Sequence, residues 1–145
     1  MRDATVRCMS MMRLYRVILP VDDVEAAARF YSTLFDQSGV RVSPGRHYFA
    51  CGDVTLALYC PRADGDERNP RPNFDHVYFA VDDLEGVYRR AERLGGLSPA
   101  IGDGRLPMGQ IAVRPWGERS FYLHDPFANP LCFVDSRSVF TGVSA

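Results

Sequence analysis

The sequence predicts an α+β fold made of two successive βαβββ modules, and three observations support this prediction. The first is an internal repeat in which VDDVE at residues 21–25 returns as VDDLE at residues 81–85. The second is that an alternating apolar pattern precedes each copy and a helical apolar spacing follows it. The third is that short β-like segments separated by turns follow each predicted helix. The element order β-α-β-β-β is therefore expected twice.

Each module is predicted to open with a strand that leads directly into a helix. Alternation places one set of apolar side chains on a single face of each strand. This set contains Val17, Leu19 and Val21 in the first copy and Val77, Phe79 and Val81 in the second. The aspartate pair that follows each strand suits a helix N-cap, because a short carboxylate accepts hydrogen bonds from unpaired backbone N–H groups. Gly95 and Gly96 predict the end of the second helix.

The remaining β segments and the domain boundaries follow from the turn signals. Strands are expected at about 39–42, 47–50 and 55–60 in the first copy, and at about 98–100, 111–114, 119–124 and 131–135 in the second. The division expected is an N-terminal extension at 1–12, a first module at 13–61, a polar, proline-rich linker at 62–73, a second module at 74–136 and a C-terminal tail at 137–145.

Composition limits the classes of partner and the compartment. The net charge of −1 offers no electrostatic attraction for nucleic acid or for an anionic membrane, so neither is expected as a partner. The four cysteines form no CxxC pair, which argues against a zinc cluster. We expect no signal peptide and no membrane-spanning segment, and hence a cytoplasmic protein with free thiols.

Three motifs carry a resemblance to a known family. They are the repeated VDD[V/L]E, the stretch WGERSFY at 116–122 and the turn DPFANPL at 125–131. Over about residues 14–135 the sequence resembles the vicinal oxygen chelate superfamily, which includes glyoxalases, ring-cleaving dioxygenases and fosfomycin- and bleomycin-resistance proteins. The last motif resembles the DPxGN turn of that family, with Ala128 where glycine is usual. The resemblance implies that the two modules form a curled, mostly antiparallel eight-stranded sheet shaped as a cup, and that the protein is a homodimer.

The resemblance also indicates where a metal would bind. The ligand positions of the metal enzymes correspond to Arg16, Ala57, His76 and Cys132. A guanidinium has no lone pair to offer a cation and an alanine side chain has no donor atom. Only His76 and Cys132 remain, whereas divalent catalytic sites generally need at least three protein donors. We therefore expect no metal and no other cofactor.

Strand alternation predicts most residues of a candidate site on the face opposite the helices, and Trp116, in a turn ahead of a strand, is expected at its rim. The candidate ligand-binding residues are Arg16, His76, Tyr78, Trp116, Ser120, Tyr122 and Cys132. Three of them, His76, Tyr122 and Arg16, are also candidates for acid–base catalysis. A mixed polar and aromatic surface of this kind is typical of small-ligand sites.

These residues also have structural interpretations. Arg16 can bind a ligand carboxylate or phosphate, or it can form an internal salt bridge. His76 can act as a general base or can be a fully hydrogen-bonded pocket histidine. Trp116 can stack on a planar ligand or anchor its hairpin. Tyr122 and Ser120 can orient a ligand oxygen or bond within the sheet, and Cys132 is expected to be a small apolar wall residue.

The function that these features favour is metal-independent binding of a small, planar or anionic metabolite or antibiotic, as in bleomycin-resistance proteins. Two enzymatic alternatives remain open at this point. One is a metal-free acid–base lyase that uses Arg16, His76 and Tyr122. The other is a metal-dependent enzyme with a displaced site, in which His76 acts with His47, His124 or Cys132.

Overall fold

The computed structural model describes residues 11–102 and 107–142, and within them the β-α-β-β-β order occurs twice. The first module contains β1 (Arg16–Pro20), α1 (Val24–Phe35), β2 (Val40–Ser43), β3 (Arg46–Cys51) and β4 (Val54–Tyr59). The second contains β5 (Val77–Val81), α2 (Leu84–Leu94), β6 (Ala112–Val113), β7 (Arg119–His124) and β8 (Pro130–Asp135). None of these helices is long and apolar enough to cross a membrane.

The strands form two sheets of the same topology. Each sheet has four strands, in the orders β1-β4-β3-β2 and β5-β8-β7-β6. The first strand of each module pairs in parallel with the last, and the other pairings are antiparallel. The predicted α+β class and its two βαβββ modules are confirmed, with hydrogen bonding that divides the eight strands into one sheet per module.

The aspartates of the repeat start both helices, as predicted. The Asp23 side chain accepts a hydrogen bond from the backbone N–H of Ala26 at 3.1 Å, and the Asp83 side chain accepts one from Gly86 at 3.0 Å. Gly95 ends α2 with a φ of 75°, a left-handed conformation in which glycine carries no Cβ penalty. The repeated motif is therefore a device for starting a helix directly after an edge strand.

The helix-facing sides of the two sheets share one hydrophobic core. Its fully buried members include Leu19 and Val21, which alternation had assigned to this side, together with Phe121, Leu123 and Leu131. The ring of Phe35, at the end of α1, lies 5.4 Å from Phe79 and 6.3 Å from Phe133 in the other module. We call the opposite surface of each sheet its distal face, which carries Ile18 and Ala57 in the first sheet and Tyr78, Tyr122 and Cys132 in the second.

A polar clamp at the DPFANP turn also joins the modules. The hydroxyl of Tyr31, on α1, donates a hydrogen bond to Asp125 Oδ2 at 2.7 Å. Asn129 Nδ2 donates to the carbonyl of Pro20, at the end of β1, at 2.7 Å. Ala128 has a φ of 68°, the left-handed conformation that explains why glycine suits this position. The turn that resembles the family motif therefore holds one module against the other.

Two of the predicted β segments differ from the structure. Residues 98–100 are not a strand, and only isolated bridges at Leu97 and Ile101 flank them. Pro99 lacks a backbone N–H, so it cannot donate to a ladder at the middle of this segment. The strand expected at 111–114 contains only Ala112–Val113, because Arg114 already belongs to the turn closed by the Gly117 N–H on the Arg114 carbonyl.

The linker and the C-terminal tail each contain a short 3-10 helix. The linker begins with a short 3-10 helix at Arg62–Asp64, and a second one occurs at Ser136–Ser138 in the tail. The tail bonds to the second module, because Ser138 Oγ accepts from the N–H of Arg119 at 2.9 Å. Most of the predicted N-terminal extension, residues 1–10, lies outside the described residues, as do 103–106 and 143–145. The predicted domain boundaries remain predictions.

Candidate functional site

The distal face of the second sheet brings together most of the residues that the sequence singled out. Tyr78 and Tyr122 flank Cys132 on either side across β5, β8 and β7. In the next row along the strands, Ala80 and Ser120 flank Val134. This is the arrangement expected from strand alternation, since positions two apart along a strand share a face.

His76 lies against this row, immediately before β5. Its ring is 4.9 Å from that of Tyr122, in an edge-to-face arrangement, and 6.3 Å from that of Tyr78. Burial lowers the pKa of His76, and the nearby His124 lowers it further, against a smaller opposing effect of Asp75. The imidazole is therefore neutral at neutral pH and can both accept and donate a hydrogen bond.

Cys132 and Tyr122 are buried and hold their protons. Burial raises the pKa of the Cys132 thiol to about 12, although hydrogen bonding with Ser120 and Tyr122 acts in the opposite direction. Burial also raises the pKa of Tyr122, and the neighbouring Cys132 and Tyr78 add to this effect. A thiol and a phenol in these states are hydrogen-bonding wall groups and not a nucleophile or a base.

Arg114 is a buried component of this face that the sequence analysis did not identify. Only 5% of Arg114 is exposed, and its guanidinium carbon lies 5.0 Å from the centroid of the Tyr122 ring. Its Nε donates to Ser120 Oγ at 3.1 Å. Its remaining nitrogens donate to the backbone carbonyls of Pro107 at 3.2 Å, Met108 at 3.4 Å, Gln110 at 2.9 Å and Ser120 at 2.8 Å. The guanidinium therefore ties the 107–110 segment to β7.

The segment that Arg114 holds covers part of the face. The side chain of Met108 packs against the buried cluster of Tyr122, Cys132 and Val134. The backbone N–H of Tyr122 donates to the carbonyl of Met108 at 2.7 Å, in the place where a longer β6 would pair. Cys132 is consequently fully buried, and access to this half of the face depends on the position of the 107–110 segment.

A cavity of about 420 Å³ opens beside the buried cluster. Its walls include Tyr78, Trp116, Glu118, Val134 and Phe140. Trp116 Nε1 donates to Glu118 Oε1 at 2.9 Å, and the backbone N–H of Phe140 donates to Glu118 Oε2 at 2.9 Å. The volume is within the range of small-ligand pockets. Both functions considered for Trp116 are thus compatible with its position, since it anchors its hairpin and presents a half-exposed ring to the cavity.

Arg16 does not join this cluster. It lies on the first sheet, where its guanidinium is 5.1 Å from the ring of Tyr15 and 6.0 Å from that of Tyr48. Within residues 11–102 and 107–142, no hydrogen bond, ion pair or ring contact connects it to His76 or Tyr122. The catalytic trio considered from the sequence is therefore not assembled by contacts within this chain.

The residues at the family metal positions do not fit a metal. Ala57 has no donor atom and Arg16 has no free lone pair, which leaves His76 and Cys132, fewer than the three protein donors that a divalent site generally needs. His47, considered for a displaced site, is bonded to the Ser38 carbonyl in the first module at 2.9 Å. The described part of the chain contains no group of three or more His, Cys, Asp or Glu residues that could hold a metal ion.

Two further cavities lie elsewhere on the described surface. One of about 790 Å³ is lined mainly by apolar side chains from both modules, including Val17, Leu56, Phe79 and Phe133. The other, of about 490 Å³, lies at the linker beside Arg62 and Pro126. We assign the candidate site to the distal face of the second sheet, because aromatic rings and hydrogen-bonding side chains converge there.

The fold and this site define a class of protein: paired βαβββ modules with a cavity of small-ligand size on a sheet surface. The chain belongs to the glyoxalase/bleomycin resistance protein/dioxygenase superfamily, whose family model matches residues 13–133.

Individual relatives within this superfamily differ in what their names describe. Over 83 residues the chain is 32% identical to a trivalent organoarsenical cleaving enzyme from Thermomonospora curvata. The match covers 57% of this chain and 53% of the enzyme, so it spans about half of that protein. A lactoylglutathione lyase from Agrobacterium tumefaciens has 24% identity and a TM-score of 0.62, with 86% of this chain and 94% of the lyase covered. A bleomycin-binding protein solved with bleomycin has 21% identity and a TM-score of 0.59, with coverages of 86% and 98%. The two structural likenesses show a shared fold.

Proposed function

We propose that this protein binds a small planar organic molecule, a metabolite or an antibiotic, on the distal face of its second sheet and without a metal. The observation that carries the proposal is the cavity of about 420 Å³ between the half-exposed rings of Tyr78 and Trp116. Two aromatic rings at the mouth of a cavity favour a flat ligand, because rings attract one another in offset or edge-to-face contact. The bleomycin complex of a protein with the same fold supports binding as a function that this architecture performs.

The protonation states on the distal face also favour binding over turnover. The Cys132 thiol, whose pKa is raised to about 12, is not a nucleophile at neutral pH. Tyr122, whose pKa is also raised, remains a hydrogen-bond donor. The expectation of an anionic ligand rested on Arg16, which lies on the other sheet of this chain.

A metal-free enzyme is the second candidate function. The observation that favours it is the neutral His76, a group of suitable basicity in edge contact with Tyr122. The partial match to an organoarsenical cleaving enzyme adds a relative that acts on its ligand. The three described cysteines are Cys51, Cys60 and Cys132, and all are free thiols. Because an enzyme would convert its ligand, the test below measures the fate of the ligand as well as its affinity.

The proposal is tested with a thermal-shift screen of planar compounds, bleomycin among them, followed by calorimetry of each compound that stabilises the protein. Trp116→Ala and Tyr78→Ala should each weaken binding by at least ~10-fold, since aromatic contacts dominate such sites. Phe74→Ala is the matched control, because Phe74 is 95% exposed and lines none of the described cavities. Equal affinity in all three variants would place the ligand elsewhere.

Two further measurements separate the proposal from the enzymatic alternatives. The bound compound should be recovered unchanged after incubation, as measured by mass spectrometry, and turnover abolished by His76→Ala would instead establish the enzyme. Treatment with EDTA should leave the Kd unchanged. A stoichiometric transition metal whose removal abolishes binding would contradict the argument that Arg16 and Ala57 leave too few donors for a metal.

We also propose that the protein is a cytoplasmic homodimer. The distal face of the first sheet exposes Ile18 and Val40, which are 42% and 65% exposed, and a second copy would cover such apolar surface. The free thiols fit a reducing compartment. Light scattering with size-exclusion chromatography tests the dimer, and cell fractionation tests the location.

A further inference from the structure

The cavity on the distal face of the second sheet has a single ionisable acid in its wall. Of the described residues that line it, Glu118 is the one with a carboxyl group, and they include no arginine, lysine or histidine. Only 8% of Glu118 is exposed. The sign of the charge presented to a ligand is therefore set by this carboxylate.

Glu118 has hydrogen-bond partners but no cationic partner. Each of its oxygens accepts one bond, from the Trp116 indole N–H and from the backbone N–H of Phe140, and both donors are neutral. None of the ion pairs found among the described residues includes Glu118. A carboxylate has about four lone-pair sites, so acceptor capacity remains on each oxygen. A buried carboxylate without a cation is costly, and a bound cation would offset that cost.

The two arginines near the cavity, Arg114 and Arg119, bond to groups other than Glu118. The Arg114 guanidinium stacks on Tyr122 and donates to Ser120 and to the carbonyls of the 107–110 segment, and it does not line the cavity. Arg119 bonds to Glu85 and Asp135. The aromatic walls add a second attraction for positive charge, because the faces of tryptophan, tyrosine and phenylalanine rings attract cations.

We infer that the ligand of this cavity is an organic cation, with its positive charge against Glu118 and between the rings of Trp116, Tyr78 and Phe140. This inference rests on the proposed binding function and names the chemical class that the site selects. The groups that fit are a substituted ammonium or an aromatic nitrogen cation carried by a planar molecule. Arg16, the feature of the sequence that pointed to an anion, does not line this cavity.

The inference is tested with three probes that share one ring system and differ in charge: N-methylquinolinium, 4-methylquinoline and quinoline-4-carboxylate at pH 8. Binding is measured by calorimetry and by the indole N–H resonance in NMR spectra, which is unique because the chain has one tryptophan. The cation should bind at least ~10-fold more tightly than the neutral probe, and the anion most weakly. It should also shift the indole resonance, because that N–H donates to Glu118.

Glu118→Gln tests the residue itself, since it removes the charge and keeps the shape. The preference for the cation over the neutral probe should fall to less than about 2-fold, as expected when charge assistance is lost. Glu85→Gln is the control, because it removes one negative charge from the exposed pair with Arg119, outside the cavity. It should retain the full preference. If Glu118→Gln does not fold, the comparison of the three probes on the unaltered protein still tests the preference for positive charge.

Several results would overturn the inference. Equal affinities for all three probes would show that the cavity binds planar molecules but does not select their charge. Tightest binding of the anion would reverse the assignment. If none of the probes binds, the cavity does not select planar cations, and the wider ligand screen decides the proposed function separately.

Discussion

Tyr31→Phe tests the polar clamp between the modules, because it removes one hydroxyl and leaves the ring packing intact. The hydroxyl is fully buried and donates to Asp125 Oδ2 at 2.7 Å. A hydrogen bond to a charged partner contributes about 1.5–3 kcal/mol, and Asp125 keeps three bonds from Phe127 and Asn129. We expect the free energy of unfolding to fall by about 2 kcal/mol at pH 8, measured by urea denaturation.

The pH dependence of the same variant provides a second measurement. Burial raises the pKa of Tyr31 well above its usual value of 10.0, and the Asp125 charge and hydrogen bond raise it further. A folded-state pKa above the unfolded-state value stabilises the fold fully below pH 10.0, and this stabilisation is lost as the pH rises toward the folded-state pKa. At about 1.36 kcal/mol per pH unit, the advantage of Tyr31 over Phe should disappear near pH ~11.5.

Tyr88→Phe is the control for this experiment. The Tyr88 ring packs edge-to-face on Phe121 at 5.2 Å, and among the hydrogen bonds of the described residues its hydroxyl has none. It should change the free energy of unfolding by less than about 0.5 kcal/mol. A loss below about 0.5 kcal/mol in Tyr31→Phe, or a loss that is the same at pH 8 and at pH 11.5, would refute the role assigned to the clamp.

Three further predictions concern the turn, the 107–110 segment and the buried thiol. Ala128→Gly should raise the free energy of unfolding by about 0.5 kcal/mol in urea, because relief of the left-handed conformation exceeds the added flexibility of glycine; a decrease would contradict this. Arg114→Lys should lower the free energy of unfolding by about 2 kcal/mol and speed amide hydrogen exchange at 107–110, because an ammonium cannot reach all the acceptors of the guanidinium. Unchanged exchange would show that other contacts hold the segment. Iodoacetamide at pH 8 should leave Cys132 unmodified in the folded protein and label it after denaturation, as mapped by peptide mass spectrometry. The reason is that the thiol is fully buried and its pKa is raised to about 12. Rapid labelling of Cys132 in the folded protein would contradict this prediction.

Strand alternation correctly predicted which side chains share the distal face of the second sheet. Tyr78, Tyr122 and Cys132 form one row on the distal face because a two-residue period fixes which side of a sheet a side chain occupies. The same rule placed Arg16 on the distal face of its own sheet. Alternation contains no information on how two separate sheets are oriented, so it could not say that Arg16 lies apart from His76.

The two charged residues of the site were missed for different reasons. Glu118 precedes β7, and a step of two residues back from Ser120 and Tyr122 would have extended the row to it. Arg114 gave no such signal, because four of its five hydrogen bonds go to backbone carbonyls, three of them in the 107–110 segment. Carbonyl acceptors are present at every residue and leave no mark in a sequence.

The tail bonds to Glu118, and this contact makes the second module different from the first. The repeats match in strand order and helix start, yet the wall supplied by Phe140 comes from residues that follow the second copy. A chain cut at the repeat boundary, after Asp135, would keep both sheets entire and lose one side of the pocket. The internal repeat alone therefore does not account for this cavity, because residues that follow the second copy form one of its walls.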